Sequence, residues 1–251
     1  MSAYPDCAFH LRVAETEDEL VQNLSQVIKV YADTAFHRNG TFRLGVSGGS
    51  LVQLLTRALV ALQLDTSTWK FFFCDERYVP HDHNDSTFNA YKTHMLTKLP
   101  SILESQFVKA NTSLPLDKCA QDYETELKRI FGNASPEFDL LLLGMGPDGH
   151  TCSLFPEQPE SLAEKQRLVI PISDSPKPPP QRITFTLPLL NNARQLVFVV
   201  TGASKSAVVK RVFEERDKEL PSSWIEPVNG ELTLIADAAA AASLTSRQIK
   251  C

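Results

Sequence analysis

His150 is the residue whose type and setting most directly suggest chemistry. It ends the run Gly144-Met145-Gly146-Pro147-Asp148-Gly149-His150, which follows the stretch 138–143, apolar except for Asp139. An imidazole titrates near neutrality, so it can take a proton from water and return it to a leaving oxygen. An isolated histidine is more often structural or simply solvated. Three glycines and an aspartate behind a buried strand tilt this one toward function. Asp148 and Asp75 are the acids that could orient the ring or fix its tautomer, with loop or helix capping as the competing use of Asp148. The run also spells G-x-G-x-x-G. A dinucleotide fingerprint should open the helix of the first βαβ unit, whereas this run lies mid-chain with Pro156 and Pro159 close behind it. A nicotinamide-binding reading is therefore the weaker one.

A second group of residues suits an anion. Ser47-Gly48-Gly49-Ser50 falls between a predicted strand and a predicted helix, where exposed N–H groups and the helix start can form an anion nest. The plain alternative is a tight turn with Ser50 as N-cap, and both can hold at once. The run is not a P-loop, because G-x-x-x-x-G-K-[ST] occurs nowhere in the chain. Arg77, Arg182 and Lys205 are the cations best placed for a phosphate or carboxylate. Arginine offers a planar fork of donors and lysine a mobile point charge. For any one of them a solvated surface role is the default; their common position near predicted loop ends groups them. His81, Asp82, His83 and Asp85 could suggest a metal site, but no third histidine lies close in sequence and a polar loop explains them better.

These residues need a frame. Apolar periodicity alternates between strand-like and helix-like stretches along the chain. Strands are expected at 9–13, 41–46, 69–74, 138–143, 182–187 and 196–200, and helices at 20–35, 51–62, 87–99, 117–131, 204–215 and 237–244. The proline-rich stretch 171–180 reads as a stiff surface loop. The repeated β-α order predicts an α/β fold: a three-layer α/β/α, Rossmann-like arrangement with a mostly parallel sheet and helices on both faces, one domain over 1–251. Ligands in such folds bind beyond the carboxyl ends of the strands. Ser47, Asp75, Gly144 and Gly202 all fall there. So do six of the ten glycines, which let backbone N–H groups approach a ligand without an intervening Cβ.

The bulk composition excludes several classes. A hydrophobic fraction of 43% over 251 residues supplies a sizeable core, and 22% charged residues are ordinary for a globular chain. The net charge of −5 does not favour a nucleic acid or an anionic membrane as partner. The longest apolar run is too short to span a bilayer, and residues 1–10 carry neither a basic nor an apolar segment of a secretory signal. The five cysteines, Cys7, Cys74, Cys119, Cys152 and Cys251, are odd in number, scattered and without a C-x-x-C pair. A reducing cytoplasmic setting is the simplest expectation.

Taken together, the motifs resemble the 6-phosphogluconolactonase family. The resemblance rests on Ser47-Gly48-Gly49-Ser50, on Cys74-Asp75-Glu76-Arg77, on the long run from Gly144 to Pro156, and on Pro180-Gln181-Arg182-Ile183-Thr184, in that order over nearly the whole chain. It implies the 6-phosphogluconolactonase/glucosamine-6-phosphate deaminase-like fold and hydrolysis of 6-phospho-D-glucono-1,5-lactone, the second step of the pentose phosphate pathway. It also implies no metal and no cofactor, with a small sugar-phosphate lactone as partner. A monomer is the simplest expectation for the assembly, independent of the resemblance. By matching position, His150 is the general base, Asp75 and Asp148 support it, and Arg77 sits near the substrate. Ser47, Gly48, Gly49, Ser50, Arg182 and Lys205 hold the phosphate. The deaminases are the nearest rivals. They resemble this chain less where Phe155 replaces their glutamate and Arg77 their tyrosine. A non-catalytic sugar-phosphate sensor is a further alternative, although no basic helix-turn-helix segment accompanies the domain.

Overall fold

The computed structural model describes residues 9–132 and 135–245. Cys7, Cys251 and residues 1–8 of the stretch considered for a secretory signal lie outside that range. In chain order the first half contains β1 (Phe9–Ala14), α1 (Glu17–Asn39), β2 (Phe42–Val46), α2 (Leu51–Leu62), β3 (Trp69–Phe73), β4 (Asp75–Arg77), α3 (Thr87–Tyr91), β5 (Phe107–Val108) and α4 (Leu116–Ile130). The second half contains β6 (Leu140–Leu143), α5 (Pro159–Ala163), β7 (Val169–Ile172), β8 (Arg182–Phe185), α6 (Leu187–Leu190), β9 (Gln195–Val200), α7 (Ser206–Phe213) and β10 (Glu231–Asp237).

Seven strands form an all-parallel sheet in the order β1-β10-β9-β6-β2-β3-β5. Alternate residues of its central strands feed two cores. Leu140 and Leu142 of β6 pack with α1 and α2 on one face; Leu141 and Leu143 pack with α4 and α7 on the other. That is why β6 is apolar at every position: all four leucines are fully buried, each contributing about 1.5–3 kcal/mol. The expected three-layer α/β/α arrangement is therefore present. α1 begins with Thr16, whose side chain accepts from the Glu19 N–H, and ends at Gly40 in the left-handed conformation.

The chain departs from the sequence expectation in several places, among them the start of the expected surface loop 171–180, where Pro171 and Ile172 belong to β7. A small antiparallel sheet, β4-β8-β7, was not anticipated; the chain passes through Cys74 from the large sheet straight into β4. The expected helix 87–99 is α3 followed by one π-turn over Lys92–Leu96. The expected helix 237–244 does not form. β10 occupies Glu231–Asp237 between β1 and β9, and turns follow it. The Asp237 carboxylate accepts from the N–H groups of Ala240 and Gly202, which holds this alanine-rich segment in turns despite its helix propensity.

Candidate functional site

Four adjacent strands, β9, β6, β2 and β3, end at one cleft of about 230 Å³. From β2 the chain continues to β3 on one side, while β6 leads to β9 on the other, so a crevice opens between β2 and β6. Ser47, Gly48, Gly49, Ser50, Asp75, Arg77, His150, Arg182 and Lys205 all line the cleft. Asp148, the remaining expected residue, bonds the His150 ring. Two other hollows, of about 290 and 430 Å³, are larger, but neither gathers titratable groups around a histidine.

The loop after β6 is a tight turn, with the Gly149 N–H donating to Gly146 O and the Gly146 N–H to His150 O, both at 3.0 Å. No helix follows until α5, so the G-x-G-x-x-G pattern does not open a dinucleotide-binding helix. Oδ1 of Asp148 lies 2.5 Å from Nδ1 of His150. A carboxylate only accepts, so Nδ1 carries the proton and Nε2 keeps its lone pair. Asp148 thus fixes the tautomer, while Asp75 is occupied elsewhere, accepting from Ser153 Oγ at 2.8 Å. The fully buried Phe155 ring packs against the imidazole with centroids 4.9 Å apart. Burial is the largest influence on His150 and lowers its pKa below the usual 6.5; Asp148 opposes this, and the nearby Lys177 ammonium adds to it. Burial alone would raise the Asp148 carboxyl, but bonds from Lys177 and His150 outweigh it and hold the group at about 2.

Lys177 is the residue that sequence reasoning missed. It sits in the proline-rich stretch read as a surface loop, yet its Nζ lies 2.7 Å from Asp148 Oδ2 and 2.9 Å from His150 Nδ1. Arg182 holds that loop. Its guanidinium donates to the carbonyls of Lys177, Pro178 and Pro179 at 3.0, 3.1 and 3.1 Å, and the residue is 4% exposed. Only Nη1 is left to the cleft, with a long 3.5 Å contact to Ser153 Oγ. The signal available in the sequence was Arg182 itself, a charged residue expected in a strand directly behind a proline run.

On the opposite wall, the loop after β2 is anchored by Tyr91, whose hydroxyl donates to Ser47 O at 2.9 Å. Among the described residues, none accepts from the N–H groups of Gly48, Gly49 or Ser50. Gly49 has φ +70°, a conformation that favours glycine, and the loop runs directly into the start of α2. Lys205 lies in a 3-10 turn before α7, and burial lowers its pKa, with Asp237 opposing. Arg77 donates to Asp85 O at 2.9 Å and faces the same cleft. Glu76, between two site residues, is structural. It accepts from the N–H groups of Thr87 and Phe88 and so caps α3. Among the described residues no cluster of His, Cys, Asp and Glu has the make-up of a metal site; His81 bonds to Ala110 O instead. A cleft with one neutral imidazole, several cations and a nest of free N–H groups can bind a phosphate at one end and activate water at the other.

Residues 15–234 match the family model described as glucosamine-6-phosphate isomerases/6-phosphogluconolactonase. The chain belongs to that family. Within the glucosamine-6-phosphate isomerase/6-phosphogluconolactonase family, it is 59% identical over 225 residues to the Drosophila melanogaster protein named "Probable 6-phosphogluconolactonase", covering 90% of this chain and 91% of that one. It is 46% identical over 243 residues to the 6-phosphogluconolactonase of Homo sapiens, covering 94% and 93%. The solved 6-phosphogluconolactonase from Trypanosoma cruzi superimposes with a TM-score of 0.84 at 26% identity, over 98% of this chain and all of the other. Among the described residues no helix is long and apolar enough to cross a membrane.

Proposed function

We propose that this chain hydrolyses 6-phospho-D-glucono-1,5-lactone to 6-phospho-D-gluconate, as a cytosolic step of the oxidative pentose phosphate pathway, with the chain acting as one catalytic domain. The observation that carries this reading is the pairing of Asp148 with Nδ1 of His150, at a cleft whose other wall is the cationic, N–H-rich Ser47–Ser50 and Lys205 region. The names of the relatives support the substrate.

In this scheme Nε2 of His150 removes a proton from water as the water oxygen bonds to C1 of the lactone. The carbonyl electrons move onto oxygen, where the Arg77 guanidinium stabilises the charge. The tetrahedral intermediate collapses, the bond from C1 to the ring oxygen breaks, and the proton held on Nε2 passes to that oxygen. General-base assistance of this kind is worth about 10²- to 10⁴-fold. The Gly48, Gly49 and Ser50 N–H groups, Lys205 and Nη1 of Arg182 hold the phosphate. Phe155 separates this reading from an amino-sugar deaminase. A carboxylate in its place would lie against the His150 ring and favour the imidazolium, whereas the phenyl ring leaves a neutral base.

The direct test generates the lactone in place with glucose-6-phosphate dehydrogenase and follows acid release in the presence of the purified chain. Release well above the spontaneous rate is expected. No acceleration, or ammonia release from glucosamine 6-phosphate, contradicts the reading.

A further inference from the structure

We infer that Lys177 is a positioning residue that holds Asp148 from behind and keeps His150 an unprotonated base in the resting site. This rests on the reading of His150 as the general base. Nδ1 of His150 has two polar neighbours, Asp148 Oδ1 at 2.5 Å and Lys177 Nζ at 2.9 Å, and room for one hydrogen in the ring plane. If Nδ1 accepted from Lys177, the Asp148 oxygen would face a lone pair at 2.5 Å. The proton therefore lies between Nδ1 and Asp148, and the ammonium donates to Asp148 Oδ2 at 2.7 Å. Its charge then stands beside the ring without stabilising an imidazolium through a hydrogen bond.

An exposed lysine tied to one carboxylate contributes little, because the side chain is free to leave. Lys177 differs in that its backbone is fixed on both sides. Its N–H donates to Ser175 Oγ at 3.2 Å, and its carbonyl accepts from Arg182 Nη2 at 3.0 Å and Ser175 Oγ at 2.9 Å. Its ammonium also lies 5.9 Å from the centroid of the same Phe155 ring that supports His150. The charged groups around His150 are Asp148 on its own turn, Lys177 on the loop before β8, and Asp75 on β4; Arg77, Arg182 and Lys205 line the rest of the cleft. Of the cations, Lys177 is the one in contact with the ring and with its acid.

The test is a proton NMR titration of the His150 ring in the full chain, its signal identified by its loss in His150→Gln. Lys177→Met and Lys177→Arg are compared with the unchanged protein. Removing the ammonium removes a charge that opposes the imidazolium, so the midpoint moves up in Lys177→Met and stays nearer the original in Lys177→Arg. The acidic limb of kcat/KM moves up by the interval the titration reads, and kcat on the plateau falls roughly ten- to hundred-fold as Asp148 loosens. A role confined to tying the loop down would lower kcat without moving the midpoint. An unmoved midpoint in folded Lys177→Met, verified by circular dichroism, overturns the inference. Because the titration needs no turnover, a shifted midpoint in a protein inert toward the lactone would leave this inference standing and refute the lactonase reading.

Discussion

A Cβ placed on Gly146 would stand 2.1 Å from Nδ1 of His150 and 2.4 Å from Oδ1 of Asp148. The turn after β6 is therefore built around the imidazole–carboxylate pair, and the absence of a side chain at 146 is what lets the two meet. The colliding atoms belong to side chains, so Gly146→Ala is expected to leave the fold intact and displace the ring. A displacement near 1 Å costs about 100-fold. We expect kcat to fall by about that factor while the circular dichroism spectrum stays unchanged; full turnover would show that the pair tolerates the displacement.

The sign of the pH dependence follows from the groups around His150. Burial and Lys177 lower its pKa, and the Asp148 carboxylate raises it. The proposed base works unprotonated, so kcat/KM is expected to fall as pH drops through the His150 pKa, which lies below 6.5. Asp148→Asn removes the group that favours the imidazolium. The acidic limb should then move to lower pH, and the plateau should fall by about 10²- to 10⁴-fold as the tautomer is no longer fixed. A pH–rate profile of this variant whose acidic limb moves upward contradicts the assignment.

Arg182 and Lys205 were grouped from sequence as phosphate ligands, but their surroundings separate them. Arg182 is buried and spends its donors on three carbonyls of the loop that bears Lys177. Arg182→Ala is expected to destabilise the fold by about 2–4 kcal/mol in urea unfolding and to lower kcat as well as raise KM. Lys205→Ala leaves the loop untouched and should raise KM about 10- to 100-fold with kcat nearly unchanged, the loss of one bond to a charged group. Equal kinetic effects and equal stabilities for the two variants would contradict the distinction.

Much of this was legible in the sequence because the signals were local. Continuous apolar runs such as 140–143 marked strands buried on both faces, and glycines marked the loops behind them. The parts that were not legible depend on long-range pairing. β10 mixes Thr233 and Glu231 with its apolar residues, and only its place between β1 and β9 makes it a strand. The Ala238–Ala242 run has the composition of a helix until the Asp237 carboxylate captures two backbone N–H groups, one of them 35 residues away. Lys177 was hidden for the same reason. A proline-rich segment reads as surface, and the three carbonyl bonds to Arg182 that hold Lys177 beside Asp148 and His150 have no signature in local spacing.

The central claim is that the His150 imidazole performs the proton transfer. Steady-state turnover of enzymatically generated lactone by His150→Gln, together with calorimetric titration of 6-phosphogluconate into the same variant, tests it most directly. We expect kcat to fall by about 10²- to 10⁴-fold while product affinity stays within a few-fold of the original. A variant that turns over at near the original rate would remove this side chain from the mechanism.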